Sequence, residues 1–156
     1  MPVISEKPIS DNLVDARRMV DVARKTRLPC SIIQNYRYRP DKLEVVRIRE
    51  EGELGMLQHV VARYACDYVR NSWGSWRHEM EWPLLFEGSV HHFDMIRFLT
   101  GGDCDTLNGF GWNPKWSTFK HESSGLYSMR MTNGVHAVYE ANSSAGGLQN
   151  CWYREH

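Results

Sequence analysis

"EGSVHHFDMIRFLTG", residues 87–101, decides how the whole chain is read. Val90, Phe93, Ile96 and Leu99 recur at helical spacing and predict one apolar face. Glu87, His91 and Asp94 fall on another stripe, within roughly 60° of one another at ~100° per residue. His92 points about 100° away from His91, so the two histidines do not serve one site. A helix with a core face and a carboxylate–imidazole–carboxylate stripe is either a solvated helix with ion pairs or the wall of an active site.

Upstream, Val3 to Ser5 forms a short apolar strand that runs into "EKP" (Glu6, Lys7, Pro8), where Pro8 excludes helix at Lys7. Ser10 or Asp11 then caps a helix whose apolar face carries Leu13, Ala16, Val20 and Ala23. Pro29 follows it, and "CSIIQN" (residues 30–35) reads as a second strand. This order predicts a βαβ unit with parallel strands. A further helix starts near Pro40 and Asp41 and stops around Gly52 or Gly55. From Leu57 to Val69 the pattern has period two, with Val60, Ala62, Tyr64, Cys66 and Tyr68 on one side. The segment "RNSWGSWRHEMEWP" reads as irregular. Beyond Gly102, strands are expected around Thr106–Trp112, Leu126–Met131 and Val135–Asn142, with another beginning in the last residues. Asn133-Gly134 predicts a two-residue hairpin.

Bulk properties exclude several classes. The 156 residues suffice for one domain with a true core. Lys plus Arg and Asp plus Glu number 19 each, so no net field draws nucleic acid or an anionic membrane. No apolar run approaches the ~20 residues of a membrane span. Cys30, Cys66, Cys104 and Cys151 form no C-x-x-C pair and read as reduced thiols of a cytoplasmic protein. No metal-ligand motif is present, and no metal is expected.

"EKP" after a strand, "QNYRYRP" after the next, and "EGSVHHFDMIRFLTG" on a helix together resemble the glucose–fructose oxidoreductase/inositol dehydrogenase (Gfo/Idh/MocA) family. The resemblance implies an α+β chain: a βαβ piece of a Rossmann domain, then an open, mostly antiparallel sheet covered by helices on one face. Residues 1–35 would be the last βαβ unit of a truncated nucleotide-binding domain. Residues 36–156 would be a substrate and oligomerisation domain, truncated at its end. The family's glycine-rich pyrophosphate loop is absent, and "NGFGWN" (residues 108–113) is no substitute. The implied activity is that of an NAD(P)-dependent oxidoreductase moving hydride between nicotinamide and a sugar, polyol or related hydroxy compound. NAD or NADP would serve the full-length parent, and the chain by itself would be inactive.

The resemblance also assigns roles. Lys7 becomes the electrostatic acid beside nicotinamide and substrate, with a cis bond to Pro8 aiming it into the cleft. His91 becomes the general base, suited by an ordinary pKa near ~6.5. Glu87 becomes its orienting partner, although the family usually places aspartate there. Glu6, Lys7, Pro8 and Arg37 would contact the cofactor; Tyr36, Trp73, Trp76 and Asp94 would contact the substrate, the tryptophans by stacking on a sugar ring. Each residue also has a structural reading. Lys7 can be a surface lysine, Glu87 and His91 an i,i+4 pair worth under ~0.5 kcal/mol, and Asp94 a tie within the fold. The rival class is an inert binding or oligomerisation module that self-associates through the open sheet face.

Overall fold

Val3–Ser5 (β1) and Cys30–Ile32 (β2) pair in parallel, with the helix Leu13–Thr26 (α1) between them in sequence. The computed structural model describes residues 1–68 and 75–146 together with strand 152–155. A 3₁₀ turn at Asn35–Tyr38 leads into Pro40–Glu50 (α2), whose first position suits proline. His59–Ala65 (β3) follows, then Ser75–Glu79 (α3), a π-helix at Leu84–Ser89, and Val90–Thr100 (α4). Cys104–Trp112 (β4), Ser124–Met131 (β5), His136–Asn142 (β6) and Trp152–Glu155 (β7) complete the described elements.

The larger sheet has the order β4-β5-β6-β3-β7, and every neighbouring pair is antiparallel except β3 with β6. Alternation along its strands decides which side is covered. Val60 and Ala62, Tyr127, Met129 and Met131, and Ala137, Tyr139 and Ala141 turn to one side, where they pack with Leu84 and Ile96 from the helical segment. A smaller cluster of Val46, Met95 and Leu99 joins α2 to α4. The opposite face of the sheet carries Phe110, Trp112 and Leu126, all exposed, with the two aromatic rings 5.7 Å apart. The α+β architecture with a mostly antiparallel sheet covered on one side agrees with the sequence reading.

Several local expectations are corrected. Asn12, not Ser10 or Asp11, caps α1, its side chain accepting from the Asp15 amide at 2.9 Å. Three adjacent residues of capping type made the position ambiguous. The predicted apolar face of α1 buries no residue, and Leu13 is 64% exposed. The 75–79 stretch, read as irregular, is helical. The hairpin is not a two-residue turn. Gly134 alone takes positive φ, at 86°, and the bonds Gly134 N to Met131 O and Met131 N to Val135 O close a three-residue loop. Asn133 is used differently: its amide donates to Thr100 O at 2.8 Å and ties the hairpin to the end of α4. Finally, Cys66 is disulfide-bonded, while Cys30 and Cys104 are free thiols. Linear spacing does not report which sulfurs a fold brings together.

Two features of the covered face make measurable demands. A Cβ on Gly125 would lie 2.5 Å from the Tyr127 ring, and one on Gly109 would meet the same ring at 2.5 Å. Tyr127 therefore lies over a glycine-lined trough, with Phe93 edge-on at 5.9 Å. Deeper in, the Tyr139 hydroxyl sits 2.6 Å from His92 Nδ1 and 2.9 Å from Ser89 Oγ, all three side chains being buried. Burial pushes His92 down to about 3, with the neighbouring His91 and Lys7 adding to the effect.

Gly125→Ala should therefore displace Tyr127 and lower unfolding free energy by about 1–3 kcal/mol, measured by urea denaturation, while Gly134→Ala acts through backbone strain alone. For His92 the sign follows from linkage. Its folded pKa lies below the unfolded value near ~6.5, so the unfolded chain binds the extra proton. Stability should be fully present above about pH 6.5 and fall with acidification at up to ~1.4 kcal/mol per pH unit. His92→Gln should flatten that slope in denaturation curves taken between pH 7 and 4.

Candidate active site

Lys7 reaches the helical stripe from the turn after β1. Its Lys7–Pro8 bond is cis. The ammonium donates to Glu87 Oε1 at 2.9 Å and to the Glu87 main-chain oxygen at 2.8 Å. Arg77, from α3, donates to the same Oε1 at 3.1 Å and lies over the Trp76 ring at 4.2 Å. A carboxylate whose side chain is only 9% exposed is thus held between two cations. That pairing offsets the cost of removing its charge from water. The residues around it line a cleft of about 440 Å³, whose walls include Glu6, Lys7, Pro8, Trp76, Arg77 and Glu87.

His91 lies one turn along from Glu87 and is half-buried. Its Nδ1 is 2.8 Å from Gln34 Oε1, and the Tyr36 ring stacks on the imidazole with centroids 4.2 Å apart and planes 9° from parallel. Burial lowers the His91 pKa, and the Lys7 charge lowers it further, against opposing pulls from Glu87, Asp94 and Glu6. Lys7 and His91 are therefore electrostatic neighbours on one side of the helix.

The expected Glu87-to-His91 orienting bond is replaced by another arrangement. Glu87 bonds to Lys7 and Arg77 and acts on His91 only through space, while Gln34 takes the orienting position. Sequence reasoning missed Gln34, although it stands at the strand end that also drew attention to Tyr36 and Arg37. A neutral amide has no charge pattern to betray it.

Arg37 and Asp94 meet in a forked pair, Nε to Oδ2 and Nη2 to Oδ1, both 2.5 Å, and Arg37 also lies over the Phe98 ring at 5.1 Å. The carboxylate raises the Arg37 pKa further. The pair ties the 3₁₀ turn to α4, with Arg97 also facing Asp94 at 3.8 Å. Arg37 and Asp94 also border a second hollow of about 440 Å³ with Ser31, Gln34 and Tyr38. Tyr36 reaches the imidazole rather than open solvent. Trp76 is 55% exposed at the cleft, whereas Trp73 lies outside the described residues. His92 faces the sheet, away from His91, as its angle predicted. No helix among the described residues is long and apolar enough to cross a membrane.

A family model described as the GFO/IDH/MocA C-terminal domain matches residues 43–154. The uncharacterized protein y4oX of Sinorhizobium fredii is 33% identical over all of this chain, which spans 44% of that protein. Among solved structures, an oxidoreductase from Agrobacterium radiobacter in complex with NAD+, L-tartaric acid and magnesium superposes with a TM-score of 0.86 at 21% identity, over 99% of this chain and 46% of that one. Levoglucosan dehydrogenase, in complex with NADH and levoglucosan, gives 0.82 at 22% identity, over 99% and 45%. The chain thus spans less than half the length of each of these proteins. With the match running from α2 to β7, the chain belongs to the GFO/IDH/MocA C-terminal domain family.

Proposed function

We propose that this chain forms the substrate side of a nicotinamide-dependent dehydrogenase, using NAD or NADP, that acts on a neutral sugar, polyol or related hydroxy compound. The observation that carries the reading is the ammonium of Lys7 held on the Glu87 turn, next along the stripe from the His91 imidazole. Residues 1–35 are assigned to the nucleotide-binding unit and 36–156 to the substrate domain.

Glu6, Lys7 and Pro8 form one wall of the cleft and fit the nicotinamide end of a dinucleotide. The glycine-rich loop that would hold its phosphates does not occur in this sequence. Bound there, nicotinamide supplies the hydride acceptor for oxidation and the donor for reduction. Lys7 spends two donors on Glu87 and has a third for the substrate oxygen, where it stabilises developing alkoxide charge. His91, kept neutral by burial, accepts the hydroxyl proton. Glu87 holds the ammonium in place, and Arg77 steadies that carboxylate.

The cleft's charge supports the substrate class. Glu6, Asp11, Glu81 and Glu87 outnumber Lys7 and Arg77 around it, which disfavours an anionic hydroxy acid relative to a neutral polyol. Trp76 offers an exposed ring for a sugar's C–H face. A second reading, self-association through the open sheet face, draws on exposed Phe110, Trp112 and Leu126. The two readings are compatible.

Assayed together with a nucleotide-binding half, His91→Ala should lower kcat by at least about 100-fold and leave dinucleotide KM nearly unchanged. Near-normal turnover would remove the base assignment. For the second reading, Phe110→Asp should shift sedimentation to a smaller species without altering the far-ultraviolet spectrum; an unchanged sedimentation profile would discard that surface.

A further inference from the structure

The groups that hold His91 come from one short run of chain. Gln34 and Tyr36 touch the imidazole directly, and Arg37 anchors the same run to Asp94 one turn farther along α4. We propose that Gln34 is the positioning residue of His91: its amide oxygen accepts a hydrogen bond from Nδ1–H and leaves Nε2 as the bare, proton-accepting nitrogen.

The geometry supports this directly. Gln34 Oε1 is an acceptor, so the ring nitrogen 2.8 Å away must carry hydrogen for the contact to be attractive. In a neutral imidazole that assigns the single N–H to Nδ1. Tyr36, stacked 9° from parallel, fixes the ring plane, and the Gln34 contact selects the orientation in which Nδ1 faces the amide. The Arg37–Asp94 fork then holds the supporting run at a constant distance from α4. A proton accepted at Nε2 gives an imidazolium whose Nδ1–H still rests on Gln34.

Charge distinguishes this arrangement from a carboxylate–histidine pair. An amide selects the tautomer without adding the Coulombic pull that would raise proton affinity. The charged and titratable groups facing His91 are Lys7, Glu87, Glu6 and Asp94, with His92 adjacent and Tyr36 against the ring. Burial and Lys7 prevail over the three carboxylates, and the imidazole stays uncharged at neutral pH.

The proposal rests on the dehydrogenase reading only for its catalytic consequence, so its test has a separate readout. Nitrogen-15 NMR of histidine-labelled chain, with His91 assigned by loss of its signal in His91→Asn, should show protonated Nδ1 and bare Nε2. Gln34→Leu should abolish that signature. In the assay with a nucleotide-binding half it should lower kcat about 10- to 100-fold with little change in substrate KM, in line with loss of an outer partner of histidine. Gln34→Glu should restore the tautomer and move the acid limb of kcat/KM upward by about one pH unit or more. A proton on Nε2 in the parent chain, or an unchanged tautomer in Gln34→Leu, overturns the proposal. A preserved Nδ1–H signature alongside a fully active His91→Ala would instead sink the catalytic reading and leave Gln34's role standing.

Discussion

Parallel pairing of two three-residue strands is the constraint from which the site follows. Ser5 sits opposite Ile32, so the chain leaves β1 and β2 at the same edge and in the same direction. Lys7 and the 34–37 run therefore meet a single stripe of the helical segment: Lys7 at Glu87, Gln34 and Tyr36 at His91, and Arg37 at Asp94. Successive turns of one helix thus receive successive anchors from two strand ends. This matches the general placement of ligand sites beyond the carboxyl ends of parallel strands.

The electrostatics of the stripe are graded along its length. At one end a buried carboxylate is shared by an ammonium and a guanidinium; at the other, a forked pair satisfies itself. Between them stands an imidazole with a neutral partner. Truncating Glu87 or Asp94 would leave partly buried cations without their carboxylate, a larger penalty than loss of an exposed ion pair. The middle of the stripe is the place where a proton can come and go without breaking a charged contact. Beneath it, His92 and Tyr139 give α4 a second, buried attachment to β6.

Much of this order was legible in the residues. Period-two alternation over Val60, Ala62 and Tyr64 identified β3, and Pro40, Gly101 and Gly134 marked boundaries that the structure keeps. The Glu87–His91–Asp94 stripe was visible from angular spacing alone. What escaped has physical reasons. One partner of Glu87, Lys7, lies 80 residues away, and no local pattern encodes it. The π-helix replaces what periodicity reads as ordinary helix, because the wider turn changes hydrogen bonding more than residue type. The face of α1 read as apolar from Leu13, Ala16, Val20 and Ala23 reports a capacity for packing, whereas burial depends on what is set against it.

The clasp on Lys7 is half main chain. One of its two bonds ends on the carbonyl of residue 87, an atom that every amino acid brings to that position. Exchange of this glutamate for an aspartate would alter the side-chain contact and spare the other. The berth of the cation is thus set in part by the course of the backbone, and only in part by the acid that residue 87 carries.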